Sequence, residues 1–351
     1  MKMSKFYKII ILAIFSVLLL LFNNFCSQNS VTTNSSEVDY SISPKGFPKI
    51  PFPKDNAYSS AKEKLGRYLF FDKILSKDST FSCASCHNPR YAFANNVPNP
   101  LTINRFPLPR NVLSLVNVAY RNLIGWEGNE ISLEDAIYHD FYSPLFFDND
   151  TNEIFKRLSN HPFYPKMFEE AFGKKSKPYP YLAAKAIATF VRTLVSGNSA
   201  YDRYVRGDSN ALTESQKRGM KLFFSDRTKC SVCHSGFLFT DLQFHNTGTT
   251  NHYFDFGRFY STGKFEDRNK FLTPSLRNIE ITAPYLHDGT YQTLEEVIEN
   301  YNNGGYPTIN KDTILKPLNL TEQEKEDLIN FLKALTDWDF LNQERFKSFG
   351  Y

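Results

Sequence analysis

The sequence predicts a mainly α-helical protein built from two related domains and long irregular loops. Two segments, Ser59–Phe71 and Thr213–Phe224, space their apolar residues as an amphipathic helix does, and each ends shortly before a pair of cysteines. The two segments share a pattern, since Gly66-Arg-Tyr-Leu-Phe-Phe71 matches Gly219-Met-Lys-Leu-Phe-Phe224. Alternating strand patterns are sparse along the chain. A repeat of this kind indicates one helical unit that is used twice.

Signals for helix ends support the helical prediction. Thr213, Thr293 and Thr321 are each followed three residues later by Gln or Glu, which is the capping-box pattern of a helix N-terminus. Residues Tyr181–Val195 form a strongly amphipathic segment that Gly197 stops. We therefore predict that a helix closes the first half of the chain and that capped helices build the second.

Length and composition fit two domains of ordinary size. The chain has 351 residues, of which 41% are hydrophobic and 16% aromatic, enough to bury two cores. The stretch Asn198–Asn210 contains Gly, Ser, Asn and Asp, so we interpret it as a linker and predict domains at 46–209 and 210–351. The net charge of +4 is small and the basic residues are dispersed, which argues against nucleic acid as a partner.

The first 45 residues predict export. Lys2, Lys5 and Lys8 precede the unbroken apolar run Ile9–Phe22, so we interpret residues 1–26 as a signal peptide and predict a periplasmic protein. A membrane anchor that stays attached is the alternative, although the run is short for a membrane span. Cys26, followed by polar residues, resembles the acylated cysteine of a lipoprotein signal, and cleavage without a lipid anchor is the other reading. Residues 27–45 are polar and predict a flexible tether.

Two cysteine-histidine pentads carry the most specific chemical signal. The first pentad, Cys83-Ala-Ser-Cys-His87, and the second pentad, Cys230-Ser-Val-Cys-His234, both have the spacing of a c-type haem attachment site. A zinc site or a redox dithiol is the alternative, but two identical pentads in an exported chain argue strongly against both. We predict two covalently bound c-type haems and no disulfide. The thioether-forming residues are Cys83, Cys86, Cys230 and Cys233, and the proximal iron ligands are His87 and His234.

An ordered set of further motifs accompanies the pentads. In chain order these are Leu65-Gly-x-x-Leu-Phe-Phe-Asp72, Ser82-Cys-Ala-Ser-Cys-His-Asn-Pro89, Pro109-Arg-Asn111, Trp126-Glu-Gly128, Thr273-Pro-Ser-Leu-Arg-Asn278 and Thr282-Ala-Pro-Tyr-Leu-His-Asp-Gly289. With this set, the chain from about Gly46 to its C-terminus resembles the bacterial di-haem cytochrome c peroxidase superfamily. That superfamily includes the MauG-type enzymes, which oxidise residues of another protein. The resemblance implies two cytochrome c-like haem domains.

The resemblance also implies how the two haems divide the work. The N-terminal haem meets hydrogen peroxide, and the C-terminal haem relays electrons from a small cytochrome c or a copper protein. Trp126 matches a tryptophan that lies between the haems, although a purely structural core tryptophan is the alternative. Asn111, Thr282 and Pro284 match residues that bind a calcium ion through a side-chain oxygen and two backbone carbonyls, ligands that suit calcium.

Two departures from the family pattern concern the first haem. No histidine occurs in Asn99–Arg110, where activation-dependent peroxidases carry one that caps the iron. We therefore expect a five-coordinate, open haem, which favours ligand activation. The family also has an acid–base glutamate after a Pro-Leu pair, but Phe146 and Phe147 follow Pro-Leu here. His139 is our predicted replacement, with Asp140 and Asp148 as alternatives.

A third departure concerns the second haem. Classical peroxidases have a methionine ligand at the position of Tyr301. MauG-like enzymes have a tyrosine there, as this chain does. A tyrosine that only packs at the helix end is the alternative. The leading hypothesis is a peroxidase that reduces hydrogen peroxide with electrons from a small redox protein. A MauG-like oxidase that acts on residues of a partner protein and a non-catalytic di-haem electron carrier are the alternatives.

Overall fold

The computed structural model describes residues 43–248 and 255–348. The predicted signal peptide, Cys26 and most of the predicted tether lie outside these residues. No helix among the described residues combines the length and the hydrophobicity that a membrane crossing requires.

Helices and long irregular connections make up most of the described chain. In chain order the α-helices are α1 (Ser60–Phe71), α2 (Cys83–Cys86), α3 (Leu133–Tyr142), α4 (Thr151–Asn160), α5 (Tyr164–Phe172), α6 (Pro180–Arg192), α7 (Ala200–Val205), α8 (Glu214–Phe223), α9 (Cys230–Cys233), α10 (Phe259–Thr262), α11 (Leu294–Asn302), α12 (Glu322–Lys333) and α13 (Trp338–Leu341). The strands β1 (Phe244–His245) and β2 (Phe271–Leu272) pair in antiparallel fashion, with Phe244 opposite Leu272. The mainly α fold class is confirmed.

The helix ends follow the capping patterns of the sequence. At Thr213, Thr293 and Thr321 the hydroxyl accepts a hydrogen bond from the backbone three residues on, and the Gln or Glu there bonds back to the threonine N–H. Ser199 and Asp202 form another capping box, which starts α7 inside the stretch that we interpreted as a linker. The linker interpretation missed this helix because Ser and Asp, which are typical of loops, also cap helices.

Each half of the chain is centred on one pair of packed helices. Helix α1 packs on α6, and α8 packs on α12. A Cβ atom at Gly66 of α1 would lie 1.9 Å from the carbonyl oxygen of Ala186, and one at Gly219 of α8 would lie 1.8 Å from that of Asp327. No side chain fits at such distances, so the glycine of the repeated sequence pattern permits the close approach in both pairs. The internal repeat is thus a repeat of packing geometry.

Two clusters of buried apolar side chains surround these helix pairs. The first extends from α1 to the end of α6 and is completed by Phe340 and Phe346 near the C-terminus. The second extends from α8 to α12, and Tyr201 of α7 packs against it. The described residues form one compact unit. The domain boundary between residues 209 and 210 therefore stays a prediction.

A buried polar junction joins the two halves. Asn117 and Asn278 each follow a Ser-Leu-x sequence and each adopt a left-handed backbone, with φ of 61° in both. Asn117 bonds both backbone groups of Ser196, accepting from its N–H at 3.0 Å and donating to its carbonyl at 3.1 Å. Asn278 donates to the Ser196 hydroxyl at 3.1 Å and accepts from the backbone N–H of Asp337 at 2.8 Å. All four residues are at most 2% exposed, so water does not compete for these bonds.

Two buried ion pairs also stabilise the described part of the chain, and the second of them crosses the predicted domain boundary. Arg192 binds both carboxylate oxygens of Glu134, at 2.6 and 2.8 Å. Arg277 binds both oxygens of Asp202, at 2.8 and 2.9 Å. Burial alone would raise the pKa of Asp202, but its hydrogen bonds with Arg277 outweigh that effect and lower the pKa. Loss of one partner would leave a buried charge unpaired, at a cost of about 3–5 kcal/mol.

We expect Asn117 to stabilise the fold through its two bonds to Ser196. Asn117→Gly keeps the backbone free to adopt positive φ but leaves the buried Ser196 groups unpaired, so the free energy of unfolding should fall by about 2–4 kcal/mol. Asn117→Ala should lose about 1 kcal/mol more because it adds left-handed strain. Denaturant unfolding followed by circular dichroism measures both values. The exposed Asn152→Ala serves as the control, and a Gly variant as stable as the wild type would contradict the role of the junction.

Candidate active site

Both pentads fold into one helical turn followed by the histidine. Helices α2 and α9 contain the two cysteines of each pentad, three residues apart and therefore on one face. His87 and His234 follow with similar backbone angles, φ −103° and ψ 77° against φ −96° and ψ 66°. All four cysteines carry unbridged sulfurs. The geometry therefore fits two thioether bonds and one histidine ligand at each site.

The two histidine rings are held in the same way. Nδ1 of His87 lies 2.9 Å from the carbonyl oxygen of Phe93, and Nδ1 of His234 lies 3.1 Å from that of Phe239. Each carbonyl accepts from Nδ1–H, so the lone pair of the ring is on Nε2, the nitrogen that would bind iron. Burial lowers the pKa of His87 to about 4 and also lowers the pKa of His234, so both imidazoles are neutral. Neutral imidazole is the form that ligates a metal.

A large cavity adjoins the second pentad. It spans about 1280 Å³, including space open to solvent, and its walls are mainly apolar. His234 and Tyr301 of α11 both line it, so the structure brings the two predicted ligands of the second iron into one cavity. Burial raises the pKa of Tyr301 to about 12. A phenolate at this position would therefore need the positive charge of ferric iron to form.

A charged histidine at this cavity was not found from the sequence. His245 lines the cavity, and its ring lies 2.7 Å from Asp312 and 2.9 Å from Asp241. Hydrogen bonding to Cys233 and to both carboxylates raises the pKa of His245 to about 10. Asp241 lies only four residues before His245, but Cys233 and Asp312 lie farther away in the chain, so the whole group is visible only in the tertiary structure. Because the Cys233 sulfur belongs to the pentad, the Cys233–Asp241–His245 cluster is part of this site.

Trp126 lines two cavities. One is the cavity of the second pentad. The other is smaller, spans about 510 Å³ including space open to solvent, and is lined by Leu113. A backbone hydrogen bond with Leu113 is one of the influences on the pKa of His87. The indole N–H donates to the carbonyl oxygen of Asn111 at 2.8 Å, which fixes the ring. The placement of Trp126 between the two haem sites, which the family resemblance implies, stays a prediction.

The smaller cavity also contains an arginine that the sequence did not single out. Arg121 lines it, and burial lowers the pKa of the guanidinium to about 10. No carboxylate of the described residues forms a salt bridge with Arg121. Haem carries two propionate groups, which supply the negative charge that a buried guanidinium requires. The charge of Arg121 therefore fits the cofactor that the first pentad attaches.

Comparisons with known proteins agree with this geometry. The family model of the di-haem cytochrome c peroxidases matches residues 60–210. The methylamine utilization protein MauG of Methylorubrum extorquens is 33% identical over 315 residues, which span 87% of this chain and 88% of that protein. Cytochrome-c peroxidase IdrP1 of Pseudomonas sp. strain SCT is 36% identical over 324 residues, which span 83% of this chain and 84% of that protein.

The chain belongs to the di-haem cytochrome c peroxidase family. A solved MauG-like protein associated with microbial copper homeostasis is 33% identical, with a TM-score of 0.82 over 87% of this chain and 97% of that one. The protein is accordingly an oxidoreductase of the di-haem peroxidase class with two c-type haems. The predicted family, enzyme class and haem content are confirmed.

Two of the residues predicted to bind calcium in this peroxidase meet directly. The Asn111 amide Nδ2 lies 2.6 Å from the carbonyl oxygen of Pro284 and 3.1 Å from that of Leu286. Thr282 and Pro284 both line the smaller cavity. In this orientation Oδ1 of Asn111 accepts from the backbone N–H of Val112 at 2.8 Å. Only a half turn of the amide, which gives up that bond, would bring the Asn111 oxygen toward the two carbonyls as a donor set for calcium.

The structure separates the candidates for acid–base chemistry at the first haem. His139 of α3 is half-exposed, with Nδ1 3.0 Å from Glu130. Asp148 forms a surface ion pair with Lys77 at 2.8 Å. Asp140, by contrast, acts electrostatically on both cysteines of the first pentad. The roles of His139, Asp140 and Asp148 in acid–base chemistry stay predictions.

Proposed function

We propose that this peroxidase works in the periplasm, meets hydrogen peroxide at the haem of the first pentad and receives electrons through the haem of the second. The observation that carries this proposal is the contact of Trp126 with both cavities. An aromatic ring fixed by its hydrogen bond to Asn111 gives electrons a short route between the two sites. The first and second haems are named below after their pentads.

The residues of the chain would hold and tune the two cofactors. Haem supplies the redox chemistry, and His87 and His234 would bind its iron through Nε2. The Nδ1 hydrogen bonds orient both rings and make them stronger ligands. Asn99–Arg110 contains no histidine, and its Arg110 pairs with Asp255 at 2.6 Å. This stretch therefore offers no imidazole to the first iron, which supports an open first haem.

We expect the fully oxidised protein to bind cyanide at its first haem without prior reduction. We also expect the reduced protein to consume peroxide and to oxidise a reduced small cytochrome c that supplies the electrons. Both outcomes follow from an open first haem, because ligand access decides what haem iron does. Optical spectra measure cyanide binding, and oxidation of the cytochrome measures turnover. A first haem that stays low-spin and unreactive until reduction would contradict the open site. Absence of peroxide consumption would contradict the proposed function.

A second candidate function is MauG-like oxidation of residues on a partner protein. The observation that favours it is Tyr301, which lines the same cavity as His234. A phenolate ligand donates more charge to ferric iron than a methionine sulfur, so it stabilises high oxidation states. The identity to MauG of Methylorubrum extorquens, 33%, supports the same reading.

The Tyr301→Met and Tyr301→Phe variants test that ligand. Tyr301→Met should raise the potential of the second haem, because a thioether donates less charge to ferric iron. Tyr301→Phe should leave the sixth position to water or vacant and so change the spin state. Potentiometry and spin-resonance spectra of the holoprotein measure both effects. Tyr306→Phe, at an exposed position beyond α11, is the control. Unchanged spectra in both Tyr301 variants would make the tyrosine a packing residue.

We also propose that one calcium ion binds between Asn111, Thr282 and Pro284. The support is the approach of the Asn111 amide to the Pro284 carbonyl. Because the backbone carbonyl of Asn111 also holds Trp126, an ion here would stiffen the contact between the haem sites. The ion would act through position and charge and would take no part in the redox steps.

Calcium titration of chelator-treated holoprotein tests this site. Asn111→Asp should bind calcium about tenfold more tightly than the wild type, because a carboxylate adds a negative charge to the ligand set. Asn111→Ala should lose the binding. Isothermal titration measures both, with the exposed Asn152→Asp as control. Equal calcium binding by the wild type and Asn111→Ala would refute the proposed site.

Export is proposed from the sequence alone, through the signal peptide at residues 1–26. Acylation of Cys26 would anchor the protein to a membrane, whereas cleavage after it would release the protein. The mass of the mature N-terminal peptide distinguishes the two, and an intact residue 1–26 segment would contradict export by this route.

A further inference from the structure

The ring of His287 lies beside Trp126 in the cavity of the second pentad. His287 is only 6% exposed, and it lines that cavity together with Trp126. The centroids of the two rings are 6.4 Å apart and their planes make an angle of 75°, so the rings meet edge to face. Aromatic rings favour this geometry because the positive edge of one ring meets the negative face of the other. The histidine is therefore a direct neighbour of the ring that we place on the electron route.

A second ring, Phe271 of β2, stacks on the imidazole of His287. The two ring centroids are 3.6 Å apart, with an angle of 16° between the planes. The guanidinium carbon of Arg110 lies 5.6 Å from the centroid of the same phenyl ring. Arg110 is itself fixed, since the Asp255 carboxylate accepts two hydrogen bonds from it, at 2.6 and 2.8 Å. One continuous stack, called the Trp126 stack below, thus runs through Arg110, Phe271, His287 and Trp126.

Backbone hydrogen bonds connect the residues of the Trp126 stack. The N–H of Asn111 donates to the carbonyl of His287 at 2.7 Å, and the carbonyl of Asn111 accepts from the Trp126 indole at 2.8 Å. The N–H of Leu272, which follows Phe271, donates to the carbonyl of Trp126 at 2.8 Å. The backbones that carry the three rings are therefore held together without the imidazole nitrogens.

The imidazole of His287 is held by packing alone. Its ring nitrogens form no hydrogen bond or ion pair with the residues at 43–248 and 255–348. Leu286, the residue before it, has a positive φ of 70°, which is an outlier for a bulky side chain. Strained backbone of this kind persists where the surroundings fix a conformation, and it is concentrated at functional sites. The chain thus retains a strained residue where it directs a ring toward Trp126.

We propose that His287, held in the Trp126 stack, is a positioning residue that fixes the Trp126 ring and so sets the rate of electron transfer between the two haems. The inference rests on the proposed function, in which Trp126 carries the electron. In each transfer one electron leaves the second haem and one arrives at the first, without a proton and without net change in either side chain. An indole that is free to rotate spends less time in the productive orientation, so a loosened stack slows the transfer.

The test measures electron transfer between the haems without peroxide. A radiolytic pulse adds one electron to the fully oxidised holoprotein, and optical spectra follow its distribution between the haems. His287→Ala should slow this step about tenfold or more, because small displacements of a positioned group cost much in rate. His287→Phe restores a stacked ring and should recover most of the rate. Phe155→Ala is the matched control, since it removes one ring of another stacked pair, Phe155 with Tyr179 at 5.2 Å, and neither ring lines the two cavities.

A second variant makes the result independent of the folding of His287→Ala. Phe271→Leu removes the stacking ring but keeps a bulky apolar side chain, so the rate should fall as it does in His287→Ala. Haem content, circular dichroism and the potentials of both haems should stay at their wild-type values, so that a slower rate reflects neither misfolding nor a changed driving force. Shifted potentials together with an unchanged rate would make His287 a haem contact and overturn the proposal.

A double-mutant cycle with Trp126→Phe tests whether His287 acts through the indole. Residues that act together have non-additive effects. His287→Ala should slow the transfer in the wild type and have little effect when Trp126 is already replaced by Phe. An equal fold-change in both backgrounds would overturn the proposal.

These outcomes separate this inference from the proposed function. A rate that falls in Trp126→Phe but not in His287→Ala refutes the role of His287 alone. A rate that Trp126→Phe leaves unchanged refutes the electron route of the proposed function and the role of His287 with it. A wild-type protein that consumes no peroxide refutes the peroxidase reaction, and the rates of the variants still decide the role of His287.

Discussion

Two asparagines at equivalent places in the internal repeat bond to the same serine, and the relative position of the two haem sites depends on these bonds. Asn117 follows the first pentad in the chain and Asn278 follows the second. Both asparagines donate a hydrogen bond to Ser196, which lies between them. The junction is buried, and because Asn117 and Ser196 both lie in the first half, a shift of the second half would separate the Ser196 hydroxyl from Asn278 and Asp337. Such groups cost about 1–3 kcal/mol each when unpaired. The distance between the two cavities is therefore fixed by hydrogen bonds at the centre of the molecule.

The sequence predicted the parts of this protein that local patterns encode. The pentads, the capping boxes at Thr213, Thr293 and Thr321, and the mainly helical fold all depend on residues close together in the chain. Helix α7 was missed because its capping residues are also loop formers. The repeated six-residue pattern suggests that Gly66 packs closely against another helix. It does not identify that helix as α6, which lies more than a hundred residues away in the chain.

The sites were predicted less completely than the fold. The cysteine and histidine ligands are recognised by their spacing, whereas the pKa of Arg121 depends on burial and that of His245 on hydrogen bonds to Cys233, Asp241 and Asp312. The distinction between His139 and Asp140 required the orientation of α3, which a single sequence specifies only to within a residue or two. The proximal sides of both haem sites are nearly identical, so the difference in chemistry must come from the groups on the other side. At the second site the groups that line the cavity with His234 are Tyr301 and His245.

The contribution of Phe340 and Phe346 to the first core has a consequence for biosynthesis. A chain that crosses a membrane N-terminus first exposes the first pentad before these two phenylalanines arrive, so the first core stays incomplete until translocation is nearly finished. The second core needs only residues that precede Thr336 and can close earlier. The order of closure is therefore opposite to the order of synthesis, and the first pair of cysteines remains reachable for haem attachment until the end of the chain folds back. Deletion of the segment that contains Phe340 and Phe346 would therefore destabilise the first core, which is built mainly from the N-terminal half of the chain, and not the second core.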